Sequence, residues 1–222
     1  MTADADLYDL INRRRDTRSE FTGEPVDAEA LNRILSAAHC APSVGLSQPW
    51  DFVLVRSAET LSACAAHVAH ERAVFADTLE GDRAAVFERI NVEGIREAGL
   101  GVVVGYDPAR GGPQVLGRHG IADAGLYSVV CAIQNLWLAA TAEGLGVGWV
   151  SFYREPFLRD LVSMPPHVRP VAWLCVGPVK HVPDVPDLER FGWRHRTPLA
   201  DVVHEDRYGG GNPLLSEPAP TG

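Results

Sequence analysis

Lysine is nearly missing from this chain. Lys180 is the only one, so 19 of the 20 basic residues are arginine. Positive charge is in deficit too: 29 acidic residues against 20 basic ones leave a net charge of −9. An acidic chain is a poor partner for nucleic acid or an anionic membrane, because both are polyanions. Cysteine is sparse. Cys40, Cys64, Cys131 and Cys175 lie far apart, with no C-x-x-C pair, each in an apolar stretch. That predicts reduced, buried thiols in a cytoplasmic compartment rather than a disulfide framework. The start, MTADADLYDL, has no basic segment followed by an apolar run, so no signal peptide is expected. Long apolar runs are lacking as well. The best of them, residues 129–142, contains Gln134 and Asn135 and falls short of the roughly 20 residues a membrane span needs.

What remains is a chain of 222 residues, 46% hydrophobic and 22% charged, long enough to bury a core without staples. Helical apolar spacing is read at 4–15, 27–40 (with Asp27 as N-cap), 58–79, 82–97, 122–143 (stopped by Gly144) and 155–163. Strands are read at 51–56, 100–106, 145–152 and 168–179. The last of these is apolar on both faces and should lie inside the sheet. Residues 41–50 and 108–120 are rich in Gly, Pro and Ser and read as loops. These elements predict one α+β domain over 1–208, with a sheet of about four strands, and a disordered tail over 209–222.

Four groups of residues carry possible chemistry. Arg14-Arg15-Asp16-Thr17-Arg18 places three guanidiniums at a helix-to-loop transition, where they could converge on a phosphate. The same residues would arise because cations suit a helix C-terminus. Ser43, Ser47 and Gln48 in PSVGLSQPW could hydrogen-bond the edge of a flat heteroaromatic ligand, or simply make a polar turn. Gly144, Gly146 and Gly148 alternate along a strand that glycine weakens, and one explanation is a planar ligand lying against the backbone. Cys64, His67 and His70 share a helix face at metal-ligand spacing, but no further ligand is evident and no metal is expected. Gly192-Trp-Arg-His-Arg196 is either surface charge or a further phosphate contact. His119 sits in a glycine-rich loop.

In this order the motifs resemble the FMN-dependent nitroreductase superfamily. The similarity runs over about residues 5–205, through Arg14–Arg18, Pro42–Trp50, Gly144–Trp149 and Arg196-Thr-Pro-Leu-Ala-Asp-Val-Val203. It implies an α+β nitroreductase-like fold: a central, mostly antiparallel sheet flanked by helices, in an intertwined homodimer. Two details narrow it. Asp16 stands where that superfamily usually has serine, and the glycine strand ends Trp-Val-Ser151. With Glu93-Gly-Ile-Arg96, Arg110-Gly-Gly112, Tyr127–Trp137 and Gly192-Trp-Arg194, these are similar to a branch in which FMN is the substrate. There reduced FMN, delivered by a separate flavin reductase, is fragmented with O2 through a peroxyflavin. The products are the benzimidazole lower ligand of vitamin B12 and erythrose 4-phosphate.

The resemblance assigns roles by position. Arg14, Arg18 and Arg196 would hold the FMN phosphate, and Arg15 would support the helix end or the ring. Thr17 belongs to the same binding segment. Gly146 and Gly148 would let the ring stack closely. Ser43 and Gln48 would reach the flavin from the partner subunit. Asp16 would be the acid–base group, since a serine there could not act as a base, and Ser151 would orient oxygen near the ring. Residues 82–97 and 108–120 are candidate lids. The alternatives are an NAD(P)H-dependent nitroreductase or flavin reductase, and a non-catalytic flavin-binding module.

Overall fold

Alternation along one strand organises the core. A computed structural model describes residues 7–211, and in it the run Leu100–Tyr106 forms strand β2. Val102 and Val104 point to one face of the sheet and Val103 to the other, all three fully buried. Strand β1 (Trp50–Val55) pairs with β2. Strand β4 (Arg169–Pro178) pairs with β2 on its other side and with β3 (Leu145–Val150) beyond. The order is β1-β2-β4-β3 with every pairing antiparallel. The doubly apolar β4 is interior, as its sequence predicts.

Two hydrophobic layers sandwich this sheet. On one face lie α2 (Ala28–His39) and α5 (Ala124–Ala142), packed on Val102, Val104, Val147, Leu174 and Val176. On the other lie α3 (Ala58–Ala76) and α6 (Glu155–Leu161), with α4 (Gly81–Glu88) beside α3, packed around Val103, Val150 and the fully buried Trp173. The Asp27 side chain accepts the Ala30 N–H at 2.9 Å and starts α2. Gly144, at φ +74°, follows the end of α5. By length and composition α5 could cross a membrane, yet it packs on the sheet and is tied to α2 by Asn135 Nδ2 donating to Ala37 O at 3.1 Å.

The helix expected over 82–97 ends at Glu88, and 89–99 is irregular. Buried Ile90, Val92, Ile95 and Ala98 give that stretch an apolar pattern, but local chemistry breaks the helix. The Glu93 carboxylate accepts the Ile95 N–H at 2.6 Å, in competition with a helical bond. Gly94 lies so close to Arg18 O and the Phe21 ring that a side chain there would collide. Helix α1 is Leu7–Arg13, and the expected residues 4–6 fall outside the described range. So does the expected tail, apart from 209–211. The irregular segment after β4 contains the short α-helix α7 (Asp187–Arg190) and a 3-10 turn at Leu199–Asp201. Of the four thiols, Cys64 and Cys175 are buried as expected. Cys40 and Cys131 are exposed: Cys40 caps the C-terminus of α2, and Cys131 falls on the outer face of α5.

Strand β3 would be an open edge, and the chain after α1 covers it. Asp16 bridges Val147 in parallel, and Thr17 N–H donates to Val147 O at 3.0 Å. Further on, Phe21 bridges Val179 and Thr22 N–H donates to Pro178 O at 2.9 Å. Covering the edge satisfies its backbone groups and fixes where residues 14–18 point.

Candidate functional site

The covering segment delivers Asp16 and Arg18 to the end of β3. Asp16 Oδ1 accepts the Trp149 N–H at 2.9 Å, and Oδ2 accepts from Arg18 Nη2 at 2.5 Å. The same Arg18 nitrogen donates to Trp149 O at 2.7 Å, and Nη1 donates to Thr17 O at 3.2 Å. Both carboxylate oxygens are thus engaged. The two residues line a cavity of about 300 Å³ with Trp149 and Ser151, walled by Ile90, Asn91 and Val92 and by Pro186 to Leu188. Asp16 keeps 46% of its side chain accessible where it lines this cavity. Burial pushes its pKa up, and this outweighs the opposing pull of Arg18, the Trp149 N–H and Arg14.

A second cavity, of about 840 Å³, adjoins the first across Pro186 and holds Arg14, Arg15 and Arg196 with Trp137, Gln134 and Glu189. Arg15 is engaged by the backbone. It donates to Asn12 O at 2.6 Å, to Arg14 O at 2.9 Å and to Asp184 O. Arg14 and Arg196 form no ion pair among the described residues, where Glu189 pairs instead with His195 at 3.8 Å. Burial lowers the Arg14 pKa, Asp16 opposes this, and the nearby Arg15 and Arg196 lower it further. The cavity therefore carries positive charge in want of an anion, which fits a phosphate.

The structure thus brings Arg14 and Arg196 together and sets Arg18 apart from them, on the Asp16 side. Of the three arginines that the sequence reading joined around a phosphate, Arg14 and Arg196 line the larger cavity and Arg18 lines the smaller. The alternating glycines also have another cause. A side chain at Gly148 would strike Thr17 O and the Arg18 guanidinium, and one at Gly146 would strike Val179 and Thr17 Oγ1. Their open space is filled by this chain's own covering segment, not left for a planar ligand. Thr17 is buried there, packed on β3.

Ser43 and Gln48 line neither cavity. Ser43 Oγ accepts the Gln48 N–H at 3.0 Å, and Gln48 Nε2 reaches His39 O at 3.4 Å. Their loop is held near the start of α5, where Ser128 Oγ accepts the Val44 N–H at 3.0 Å. From Ser128 to Trp137 is about 13 Å of helix at ~1.5 Å per residue. The loop at 108–120 packs on this same unit: a side chain at Gly111 would meet Ser47 Cβ, and one at Gly45 would meet Leu116. It does not line the Asp16 cavity, whereas residues 90–92 do. His119 lines a cavity formed by its own loop, residues 113–119.

Cys64, His67 and His70 do not converge, and no group of three possible metal ligands occurs among the described residues. Cys64 is a core thiol, pushed up to about 12 first by burial. His67 has a structural task. Its Nε2 accepts the Arg154 N–H at 3.2 Å, and its ring stacks on Phe157 at 3.7 Å between centroids. Burial lowers the His67 pKa, and Glu71 opposes this. The unfolded chain therefore takes up the proton first, and stability falls as pH drops below about 6.5. Thermal melts between about pH 7 and 5 should show a steeper loss for the wild type than for His67→Gln. Equal slopes would contradict this role for His67.

Trp137 and the backbone of Trp149 escaped the sequence reading. Trp137 reads as one more residue of an apolar stripe, and main-chain groups leave no residue-type signal.

A sequence model described as the Nitroreductase family matches residues 11–178. The chain belongs to the nitroreductase family. Among curated relatives, the 5,6-dimethylbenzimidazole synthase of Rhodospirillum rubrum is 38% identical over 189 residues, which is 85% of this chain and 89% of that one. A protein of the same name from Rhodobacter capsulatus is 34% identical over 194 residues, covering 86% and 92%. Among solved structures, an oxidized iodotyrosine deiodinase bound to FMN and 3-iodo-L-tyrosine superposes with a TM-score of 0.72. It is 22% identical, over 91% of this chain and 100% of that one, and shows the shared fold.

Proposed function

We propose that this member of the family fragments reduced FMN with oxygen, releasing 5,6-dimethylbenzimidazole and erythrose 4-phosphate. One observation carries the reading: Asp16, its pKa raised, gripped by Arg18 and the Trp149 N–H at the wall of one cavity, beside a second cavity whose Arg14 and Arg196 have no carboxylate partner among the described residues. A family member that only shuttles hydride has no evident need of a carboxylate there. The relatives named for this synthase support the same substrate.

The cavities fit the group. Arg14 and Arg196 would hold the phosphate, and the ring would reach the smaller cavity beside Asp16 and Ser151. Reduced FMN would supply both the electrons for oxygen and the skeleton that is cut, so it is substrate rather than resident cofactor. Asp16 takes and returns protons at its cavity-facing carboxylate, held in one orientation by the Trp149 N–H. Arg18 fixes the other oxygen and keeps positive charge near the ring. Ser151 offers a hydroxyl in the same cavity to orient oxygen. Ile90, Val92 and Leu188 keep water out, as the chemistry of a reactive peroxide requires.

The site is completed in this reading by a second copy of the chain, which brings Ser43 and Gln48 to the ring from outside. Exposed Ile11, Tyr127, Val130, Leu46 and Leu116 supply apolar surface for that contact. A separate reductase would deliver reduced FMN.

The test is to mix the purified protein with reduced FMN in air and measure 5,6-dimethylbenzimidazole by mass spectrometry. Product in proportion to the FMN consumed is expected. Steady NAD(P)H oxidation with FMN intact would replace this reading with a reductase, and tight binding with neither outcome would leave a flavin-binding module.

A further inference from the structure

Arg14 is held in a place that its electrostatics disfavour. It is half-buried, two other guanidiniums share its cavity, and no carboxylate pairs with it among the described residues. Its contact is an aromatic face. The Arg14 Cζ lies 4.8 Å from the centroid of the Trp137 ring. Trp137 is only 8% exposed, deep in α5. Its Nε1 donates to Arg15 O at 3.1 Å, so the indole is locked to the chain segment that carries Arg14.

The choice of an aromatic partner matters chemically. A carboxylate would hold Arg14 more tightly but would neutralise it and compete with an incoming phosphate. An aliphatic side chain would leave the guanidinium free to swing out toward water. A ring face attracts a cation without cancelling its charge. Arg14 is thereby kept charged, oriented and available before any anion arrives, and the ordering cost of binding is already met.

We infer that Trp137 is a positioning residue: its ring face holds Arg14 aimed into the anion cavity and so sets the preference for a phosphorylated flavin over the unphosphorylated one. The inference rests on the reading that FMN occupies these cavities. Trp137 itself touches neither the phosphate nor the reacting ring in this role. Its effect should appear only in ligands that carry the phosphate.

The experiment compares FMN with riboflavin, which lacks the phosphate. Affinities are measured by quenching of flavin fluorescence with the full chain as wild type, Trp137→Met and Trp137→Phe. Wild type should prefer FMN by tenfold or more. Trp137→Met should weaken FMN binding by about tenfold while riboflavin changes by less than about twofold. Trp137→Phe, which keeps a ring face and loses the indole N–H, should retain the preference to within about threefold. Equal losses for both flavins in Trp137→Met, or no loss for either, would overturn the inference and leave Trp137 as core packing. If Trp137→Met does not fold, the Phe variant decides. A preference retained supports the ring face, and a preference lost with riboflavin binding intact assigns the effect to the hydrogen bond instead and overturns it. A wild type that binds both flavins alike would remove the FMN reading and this inference with it. A wild-type preference that survives Trp137→Met would remove this inference alone.

Discussion

Asp16→Asn should bind FMN about as well as the wild type and form 5,6-dimethylbenzimidazole at least about a hundredfold more slowly, the usual range for losing a positioned proton-transfer group. The substitution preserves shape. An asparagine carbonyl oxygen can still accept the Trp149 N–H, so the covering segment stays on β3. What is lost is the exchangeable proton, together with the acceptor for Arg18 Nη2, which keeps its bond to Trp149 O. Because burial raises the Asp16 pKa, the wild-type rate should climb with pH along a limb lying above the ordinary carboxylate range, as the base form appears. Asp16→Asn should lack that limb. Ser151→Gly should also bind FMN and lose product, yet its residual rate should keep the Asp16 limb, because an orienting hydroxyl is not the titrating group. Single-turnover product formation with reduced FMN across pH separates the two. Normal product yield from Asp16→Asn would end the assignment of Asp16 as the base.

The sheet was legible because strand burial depends on local pattern. Continuous apolar runs predicted β2 and β4, and the doubly apolar faces of β4 predicted its interior place. Residues 89–97 were misread because their apolar residues are buried, as a helix face would be, while the Glu93 carboxylate and the close approach of Gly94 to Arg18 break the helix. The first is a bond between residues two apart and the second a long-range contact, and neither leaves a period. The same limit governs the site. Arg14, Asp16 and Arg18 are neighbours in sequence, and the motif exposes them together. Only the pairing of Asp16 with Val147 shows that Arg18 turns toward Trp149 while Arg14 lies over Trp137. The Arg196 cluster read equally as surface charge or as a further phosphate contact, and only the resemblance chose between them. The two Trp149 main-chain groups that grip Asp16 and Arg18 could not be read from any side chain.

The glycine strand supplies the sharpest contrast between the two kinds of reading. Were Gly148 present to admit a flat ligand, Gly148→Ala would leave the ligand-free protein as stable as before and weaken FMN binding alone. The geometry predicts otherwise. The new methyl would fall on Thr17 O and beside the Arg18 guanidinium, and a backbone oxygen has no rotamer by which to yield. Gly148 cannot retreat either, since it is paired with the fully buried Cys175 on β4. Overpacking of this kind costs about 1–3 kcal/mol, which for a chain of this size is roughly 3–10 °C in melting temperature. The strain is relieved most readily by lifting residues 16–18 off the strand, and that motion withdraws Asp16 from the Trp149 N–H. Gly148→Ala should therefore melt lower without any flavin present and lose product formation together with the ordered Asp16. Gly120→Ala, where nothing lies within contact and φ is not positive, is the control and should shift stability by less than about 0.5 kcal/mol. Calorimetry of the ligand-free variants decides the matter, because a Gly148→Ala protein that melts with the wild type would return the strand to the ligand.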